Sequence, residues 1–286
     1  MKLFLVFSLL CADTIAVAQP KIITQAVVST TTNVIAPEED ELQNVQNQNQ
    51  GGGGGMAMFR NFGDGETKAT TYLKNDMVKT VIKTDMGRTT IIRNNTQKLT
   101  TTLLEIMGNK NGFFITDDEQ VAMRKRMDSM SQARRKDSLK QQPRSEINNN
   151  VEVSYANDTK KIAGYICKKA YVITAKFLGV KDTVAVWYSP EIKLQNIAST
   201  GGLSGFGNAG TVNGFDKIDG FVMGYEMNMR RNRHMTVEVT KIDIAKEIAD
   251  KEFEIPKDFV IKPMKDMQSL FGNGGGGGFQ IRAGGQ

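Results

Sequence analysis

Few side chains in this 286-residue sequence have the types and spacing that catalysis requires. His234 is the single histidine, and it stands among arginines at the start of a predicted strand. It has no second histidine with which to hold a metal, and Cys167 has no cysteine partner. The adjacent acids Asp117 and Asp118 suit the start of a helix better than an acid/base pair. The sequence therefore predicts a protein that is not an enzyme and uses no cofactor.

Two other stretches have compositions that suggest chemistry. The glycine-rich segment GGLSGFGNAGTVNG at 201–214 lacks the spacing of a phosphate-binding loop and is predicted to be a mobile loop. Thioether sulfur is a soft ligand for Cu(I), and four methionines fall on or beside two predicted strands: Met223, Met227, Met229 and Met235. Methionine also fills irregular gaps, so the stripe is equally typical of a core or of a wall that accommodates lipid. No metal site is predicted from it.

The N-terminus has the pattern of a secretory signal peptide. Lys2 precedes the apolar run LFLVFSLLCA, and Ala16-Val17-Ala18 forms an A-x-A cleavage site before Gln19. The run is too short to span a bilayer, and Asp13 interrupts it. The sequence therefore predicts export to the periplasm or the extracellular space, with association with the outer membrane left open.

Removal of the predicted signal peptide, residues 1–18, changes the cysteine inventory. Cys11 is removed with the signal peptide unless it is a lipidation site. Leu10 disfavours lipidation, because lipoprotein processing prefers a small residue immediately before the cysteine. Cys167 then remains as a single thiol, so no internal disulfide can form and the fold depends on its hydrophobic core. No further apolar run approaches the length of a transmembrane segment.

The rest of the chain predicts a mainly β fold. Residues 19–36 are rich in β-branched types and form a first strand. Residues 37–65 are acidic, rich in Gln and Asn, and end in glycines, so they are predicted to be a disordered loop, as is the tail 272–286. From Thr67 about four short strands follow with turns between them, and Gly112–Thr116 adds another. Such neighbours pair antiparallel, so the sequence predicts a meander.

A basic helix is predicted over residues 119–142, where Pro143 ends it. Its apolar stripe is imperfect and comprises Val121, Met123, Met127, Met130 and Ala133. The remaining surface is crowded with cations: Arg124, Lys125, Arg126, Arg134, Arg135 and Lys136. The ordinary interpretation is a solvated face. The alternative is contact with an anionic envelope component, lipid headgroup or acidic glycan. Nucleic acid is disfavoured as a partner because an exported protein seldom meets it and because no aromatic side chains interleave the cations for base stacking.

The block from Lys160 to Ile192 holds the single tryptophan. Its period-two alternation predicts that Val184, Val186 and Tyr188 share one face of a strand and that Trp187 lies on the other. In the preceding strand, one face is predicted to carry Ile166, Lys168, Ala170, Val172 and Thr174, and the other Cys167, Lys169, Tyr171, Ile173 and Ala175. A second hairpin places apolar side chains on one face: Phe221, Met223, Tyr225, Met227, Met229, Met235, Val237 and Val239.

Four stretches carry a resemblance to a known family. These are KIAGY at 161–165 with CKK at 167–169, VWYSPEI at 186–192, the closing DKEFEIPKDFVIKPM at 250–264, and the meander from Thr70. They resemble a secreted Gram-negative family of unknown function that is similar to the outer-membrane lipoprotein carrier (LolA-like) fold and related to GLPGLI-type proteins. The sequence departs from the GLPGLI type at 196–208, where NIASTGGLSGFGN replaces that motif.

The resemblance implies an α+β fold that is mainly β, a curved antiparallel half-barrel with one or two helices across its mouth. Residues 66–271, together with 19–36, would form this one domain. The concave side would shelter a lipid or a lipoprotein acyl chain, and the ligand-binding residues would be Trp187, Tyr188, Met223, Tyr225 and Met227. The predicted function is an exported cell-envelope binding protein. The alternative is a structural or interaction module without a small-molecule ligand.

Overall fold

The computed structural model describes residues 21–35, 65–84, 87–136, 151–175, 181–194, 214–229 and 232–266. Several predictions fall on other parts of the chain and lie outside the described residues. They are the signal peptide with Cys11, the insertion up to residue 64, the helix beyond residue 136, the loop over 201–213 and the tail 272–286.

The described residues form fourteen β-strands and one long α-helix. The first seven strands are β1 (Lys21–Ile23), β2 (Gln25–Ile35), β3 (Gly65–Lys74), β4 (Met77–Thr84), β5 (Gly87–Asn94), β6 (Leu99–Ile106) and β7 (Asn109–Thr116). The helix α1 (Asp117–Lys136) follows. The remaining strands are β8 (Val151–Ile162), β9 (Tyr165–Ala175), β10 (Lys181–Ser189), β11 (Ile192–Leu194), β12 (Phe221–Asn228), β13 (His234–Asp243) and β14 (Val260–Pro263).

Twelve of these strands form one sheet in the order β14–β7–β6–β5–β4–β3–β2–β13–β12–β10–β9–β8. All neighbours in it pair antiparallel except β14, which runs parallel to β7. The edge strands β14 and β8 are not bonded to each other, so the sheet does not close. The short strands β1 and β11 pair in parallel as a separate two-stranded sheet.

The sheet is strongly curved. Leu73 of β3 and Val78 of β4 belong to the same buried cluster as Ile162 of β8 and Cys167 of β9, although four strands separate β3 from β9 in the sheet. We call this the lower cluster, and its remaining members are Ile23, Ala26, Val28, Ile192, Phe221, Met223 and Val239. We call the concave side that carries Val28 and Leu73 the inner face, and the opposite side the outer face.

Much of the predicted strand order is confirmed. Four strands, β3 to β6, occupy the meander after residue 65, and β7 begins at Asn109 rather than at Gly112. The first predicted strand is two strands, because the chain bends at Thr24 between β1 and β2. The predicted insertion is one residue too long, since Gly65 already belongs to β3 and pairs with Val34.

The start of α1 is built differently from the prediction. Thr116 is the capping residue: its hydroxyl oxygen accepts from the Glu119 amide at 3.2 Å, and its own amide donates to the Glu119 carboxylate at 3.0 Å. This reciprocal capping box satisfies donors that Asp117 and Asp118 were predicted to satisfy. Asp117 instead accepts from the Arg93 guanidinium at 2.5 and 2.8 Å. The helix is therefore fixed to β5 at its first residue.

The implied position of the helix across the mouth stays a prediction, because side chains are described mainly for the first part of α1. Val121 is 52% exposed, and Ala122, Lys125 and Arg126 are exposed as well. Met123, by contrast, is half-buried. Within the described part of the chain, no helix is long and apolar enough to cross a membrane.

The predicted alternation holds in the C-terminal hairpin and fails in β9. Along β13, Met235, Val237 and Val239 are buried, as predicted. In β9 the buried positions are Cys167, Ala170 and Val172, while Ile166 is 59% exposed, so the buried side changes within the strand. Register shifts at Tyr155/Thr159 in β8 and at Trp187/Tyr188 in β10 accompany this change, because a bulge reorients the side chains that follow it.

Candidate functional site

The buried side of the sheet switches between β4 and β5. In β2, β3 and β4 the buried side chains are on the inner face, for example Val28, Leu73 and Ile82. In β5 and β6 the buried side chains are on the outer face: Thr90, Ile92, Thr101 and Leu103. Residues directly opposite each other in neighbouring strands share a face, so this switch follows from the register alone. Strands β5 and β6 therefore pack mainly through their outer side.

The C-terminal segment from Ala245 to Pro263 covers that outer face. It buries Ile248 and Phe253, which are 2% and 8% exposed. The Lys79 ammonium donates to the Glu252 carbonyl oxygen at 2.7 Å, and Lys110 pairs with Asp258 at 2.6 Å. The hydrogen bond between Lys110 and Asp258 raises the pKa of the lysine and lowers the pKa of the carboxyl group. We call this segment, Ala245 to Pro263, the strap. It is the strap, and not an α-helix, that covers this side of the sheet.

The inner face of β5–β7 is left half-open except at Ile115, which is buried. We call it the open face, and its half-buried side chains are Thr89, Ile91, Thr100, Thr102, Leu104 and Phe113. Ile91, Thr102 and Phe113 lie in one row across the three strands. The row continues to Thr80 of β4, whose hydroxyl is 3.1 Å from that of Thr71. Aliphatic or aromatic side chains therefore alternate with threonine hydroxyl groups across the open face.

A charged pair marks the lower end of the open face. Arg93 stands two residues after Ile91 on the same side of β5, and its side chain is only 14% exposed. The hydrogen bond from Arg93 holds the pKa of the Asp117 carboxyl below its usual range. The apolar surface of the open face consequently has a polar, ionised boundary at this end.

The inner face of the other half of the sheet is filled by its own side chains. The cluster there, which we call the upper cluster, comprises Val34, Ala170, Val172, Val184, Val186, Tyr188, Ile218, Tyr225, Met235 and Val237. Phe215 lies edge-on to Tyr225 with ring centroids 5.0 Å apart, and Tyr155 lies edge-on to Tyr188 at 5.6 Å. This is dense aromatic packing rather than an open cavity.

All five predicted ligand residues lie in or against these clusters. Tyr188 and Tyr225 belong to the upper cluster and are 6% and 2% exposed, and Met223 belongs to the lower cluster and is fully buried. Met227 is half-buried against the upper cluster. A ligand reaches the three buried side chains only if the core opens, so their assignment to a binding site stays a prediction.

Trp187 is the fifth predicted ligand residue; the register places it on the outer face, and it packs there against the lower cluster. It is directly opposite Gly224 in β12, and the Lys169 ammonium is 5.6 Å from the centroid of its ring. The same ammonium is 5.2 Å from the ring of Tyr171, and its hydrogen bond with Tyr171 raises the pKa of Lys169. Trp187 and Tyr188 therefore point to opposite faces, as the alternation predicted.

The residues first considered for catalysis are dispersed. His234 is on the top edge of β13, with its Nδ1 3.0 Å from the Asn228 amide oxygen and its Nε2 3.9 Å from the Glu226 carboxylate. Cys167 is fully buried, and burial raises the pKa of its thiol to about 11. Among the described residues, no group of three or more His, Cys, Asp and Glu side chains is arranged to hold a metal ion. The absence of catalysis stays a prediction.

A cleft of about 290 Å³ opens at the lower end of the sheet. Its walls are two hairpin turns and the C-terminal strap, and its lining includes Asn75, Asp76, Thr96, Asp250 and Phe253. The Thr96 hydroxyl donates to Asp76 at 2.9 Å, and Lys74 pairs with Asp250 at 2.6 Å. These contacts connect the two turns to the strap, as expected for residues with a structural role.

The sequence can also be compared with known families. A model described as a domain of unknown function (DUF4412) matches residues 53–259, well over half of the 286 residues. The chain belongs to the DUF4412 family. The predicted resemblance to a family of unknown function is thereby confirmed, whereas its relation to GLPGLI-type proteins stays a prediction. No curated protein matches this DUF4412 member.

Solved structures give only weak likenesses to this DUF4412 protein. PNGF-II in its C2 crystal form aligns at a TM-score of 0.38 and 13% identity, over 87% of this chain and 33% of that one. A putative outer membrane lipoprotein-sorting protein domain from Vibrio parahaemolyticus aligns at a TM-score of 0.19 and 5% identity, over 80% of this chain and 89% of that one. The chain spans about a third of the length of PNGF-II, and neither score supports an argument about function.

The sequence interpretation missed the open face and the strap, although a signal for both was present. Ile91-Ile92 in β5 and Leu103-Leu104 in β6 place apolar side chains on both sides of each strand. Paired apolar residues of this kind are typical of strands covered on both faces. The pattern could have predicted that β5 and β6 contact something on each side.

Proposed function

We propose that this protein is an exported cell-envelope binding protein whose open face accommodates a lipidic or amphiphilic ligand. The observation that carries the proposal is the switch in the buried side between β4 and β5. The strap already covers the outer face there, so the half-buried inner side chains are the surface that remains for a ligand. Concave, mainly apolar surfaces with a few polar groups are the usual binding sites for small molecules.

The chemistry of the open face suits an acyl chain. Ile91, Leu104 and Phe113 offer apolar surface, and each methylene buried against such surface contributes about 0.8 kcal/mol. Threonine hydroxyls between them and the Arg93–Asp117 pair at the lower end provide polar contacts for a headgroup or carbonyl. No group at the open face is arranged for catalysis in this proposal, so the ligand is bound and released unchanged.

Export is the second part of the proposal and depends on the N-terminal pattern. The A-x-A site before Gln19 supports removal of residues 1–18, and the ligand would then be met in the periplasm or outside the cell. Sequencing the N-terminus of the mature form tests this part: a chain that begins at Gln19 supports it, and an acylated Cys11 or an intact Met1 contradicts it.

The ligand proposal is tested first by native mass spectrometry of protein purified from the envelope. Retained mass corresponding to a lipid supports binding. The delipidated protein is then titrated with dansyl-labelled undecanoic acid, whose emission rises when its tail enters an apolar site. We expect saturable binding to the mature chain.

A variant in which a large side chain fills the open face tests whether the ligand binds there. Thr102→Trp places a large ring at the centre of the open face, while Thr183→Trp adds the same ring at an exposed outer-face position of β10 as a matched control. We expect Thr102→Trp to weaken probe binding at least tenfold, on the order of 1.4 kcal/mol, and Thr183→Trp to leave it unchanged. Thermal unfolding of both variants verifies that they fold. Equal weakening by the two variants would place the ligand elsewhere.

A second candidate function is a structural or interaction module of the envelope. The dense packing of Tyr188, Tyr225 and Met235 favours it, because this half of the inner face is filled by the protein itself. If the purified protein carries no lipid and binds no acyl probe, the ligand proposal is rejected and this second function becomes the better supported one.

A further inference from the structure

Among the described residues, α1 contacts the sheet through its first turn. Its first turn holds three acids, and two of them are engaged there: Asp117 with Arg93, and Glu119 with Thr116. These contacts lower the pKa of both carboxyl groups, so both stay ionised at neutral pH. The negative charge of the helix is thus concentrated at its attachment to the sheet.

The charge changes sign beyond the first turn. From Gln120 to Lys136 the helix has six cations and one acid, Asp128, which gives this part a net charge of +5. The formal charge of the whole chain is +6. A short segment that leaves the sheet therefore carries a net charge almost equal to that of the entire protein.

Most described side chains after the first turn of this helix are exposed, although Met123 is half-buried. Val121 is 52% exposed, and Lys125, Arg126 and Ser129 are exposed. Most helical stability in proteins comes from an apolar face packed on a core. A helix that carries a cluster of Lys and Arg side chains is typical of segments that bind an anionic membrane surface.

We propose that α1 docks the protein on an anionic lipid bilayer, with the helix lying along the headgroups. The cations after the first turn would contact lipid phosphates, and exposed apolar side chains such as Val121 would enter the interfacial layer. The proposal does not depend on the ligand at the open face, because the helix joins the sheet by its first turn and the two surfaces are built from different residues.

Vesicle cosedimentation with the full mature chain tests the proposal. One set of vesicles is phosphatidylcholine, and the other is an equimolar mixture of phosphatidylcholine and phosphatidylglycerol. The variant Lys125→Gln/Arg126→Gln removes two helix charges, and Lys68→Gln/Lys83→Gln removes two exposed charges from the outer face of β3 and β4 as a matched control. Gln is a helix former comparable to Lys and Arg, so α1 is retained, and circular dichroism verifies this.

We expect binding to the anionic vesicles only, and weaker binding as salt is raised. Each basic residue near an anionic surface contributes about fivefold in affinity, so the helix variant should bind about 30-fold more weakly. The control should lose less than threefold. Equal binding to neutral vesicles, equal losses in the two variants, or preference for soluble heparin over anionic vesicles would each overturn the proposal.

Discussion

The contact between Arg93 and Asp117 connects the open face, the strand β5 and the helix α1. Two hydrogen bonds join the guanidinium to the carboxylate, and the arginine is the more buried partner, at 14% against 39% side-chain exposure. Charge-assisted bidentate pairs of this kind are geometrically specific. A single substitution here should therefore affect both local stability and its dependence on pH.

We predict that Arg93→Gln lowers the free energy of unfolding by about 1 kcal/mol at neutral pH, a modest value because Asp117 remains accessible to water. The folded-state pKa of Asp117 lies below its ordinary value of 3.8, so the pair stabilises the fold fully above that value. The difference between wild type and variant should vanish as the pH falls through the lowered pKa. Urea unfolding of both proteins at a series of pH values measures this difference in the free energy of unfolding.

Lys68→Gln is the control for this prediction. It removes the pair with Glu66, whose two side chains are 75% and 56% exposed. Such a pair contributes little. A pH-independent difference for Arg93→Gln, or an equal effect of Lys68→Gln, would contradict the importance of the bidentate pair.

The two aromatic residues Trp187 and Tyr225 should respond differently to truncation. Tyr225 is 2% exposed and packs on Phe215, so Tyr225→Ala should cost about 3–5 kcal/mol of unfolding free energy. Trp187 is half-buried on the outer face beside Lys169, so Trp187→Ala should cost about 2 kcal/mol and leave the protein folded. Chemical denaturation of both variants compares the two values.

Trp187 fluorescence provides an independent check of this arrangement. Because the indole is on the outer face, its emission should stay unchanged when an acyl probe enters the open face. A blue shift on probe binding would show that the ligand contacts Trp187 after all, and would support its original assignment to the binding site.

At the scale of elements, the C-terminal strap carries much of the stability of the meander. We predict that Phe253→Ala costs about 3 kcal/mol, because this ring is 8% exposed against β4 and the neighbouring turns. Ile255→Ala, at a position that is 42% exposed, should cost less than about 1 kcal/mol and is the control. Thermal unfolding distinguishes them, and similar losses for both would mean that the strap is not anchored through Phe253.

For the whole molecule, β2 and β3 pair directly with each other on either side of the segment that connects them. Val34 pairs with Gly65, so the chain leaves and re-enters the sheet at adjacent points, and β2 is hydrogen-bonded to β13 on its other side. The sheet therefore needs both flanking parts of the sequence, but it requires no particular length between them.

We predict that replacing residues 36–64 by a short Gly/Ser turn leaves the melting temperature within a few degrees of wild type. The entropic cost of closing a loop changes only slowly with its length, and a shorter loop lowers it. A control deletion that extends two residues further, through Glu66, should destabilise the protein because it removes the start of β3. A large drop for the first deletion would show that residues 36–64 pack on the domain.

The sequence alone determined the local structure of this protein because period-two alternation, turn residues and β-branched composition act over a few residues. The meander β3–β6, the hairpin of β12 and β13, and the opposite orientations of Trp187 and Tyr188 were predicted on that basis. The start of the basic helix was predicted to within two residues for the same reason, although the capping residue is Thr116 rather than the acids that follow it.

Only the tertiary structure decided which side of each strand is covered. The alternation of β5 and β6 is the same whichever face is buried, and the outcome depends on where the strap from Ala245 to Pro263 returns, some 150 residues later in the chain. Curvature likewise brings Leu73 to Cys167 across four intervening strands and fills the interior with Met223 and Tyr225. Such contacts join residues that are distant in sequence, so no local pattern specifies them. Because these contacts bury Tyr188 and Tyr225, the candidate site is the open face rather than the predicted tyrosines.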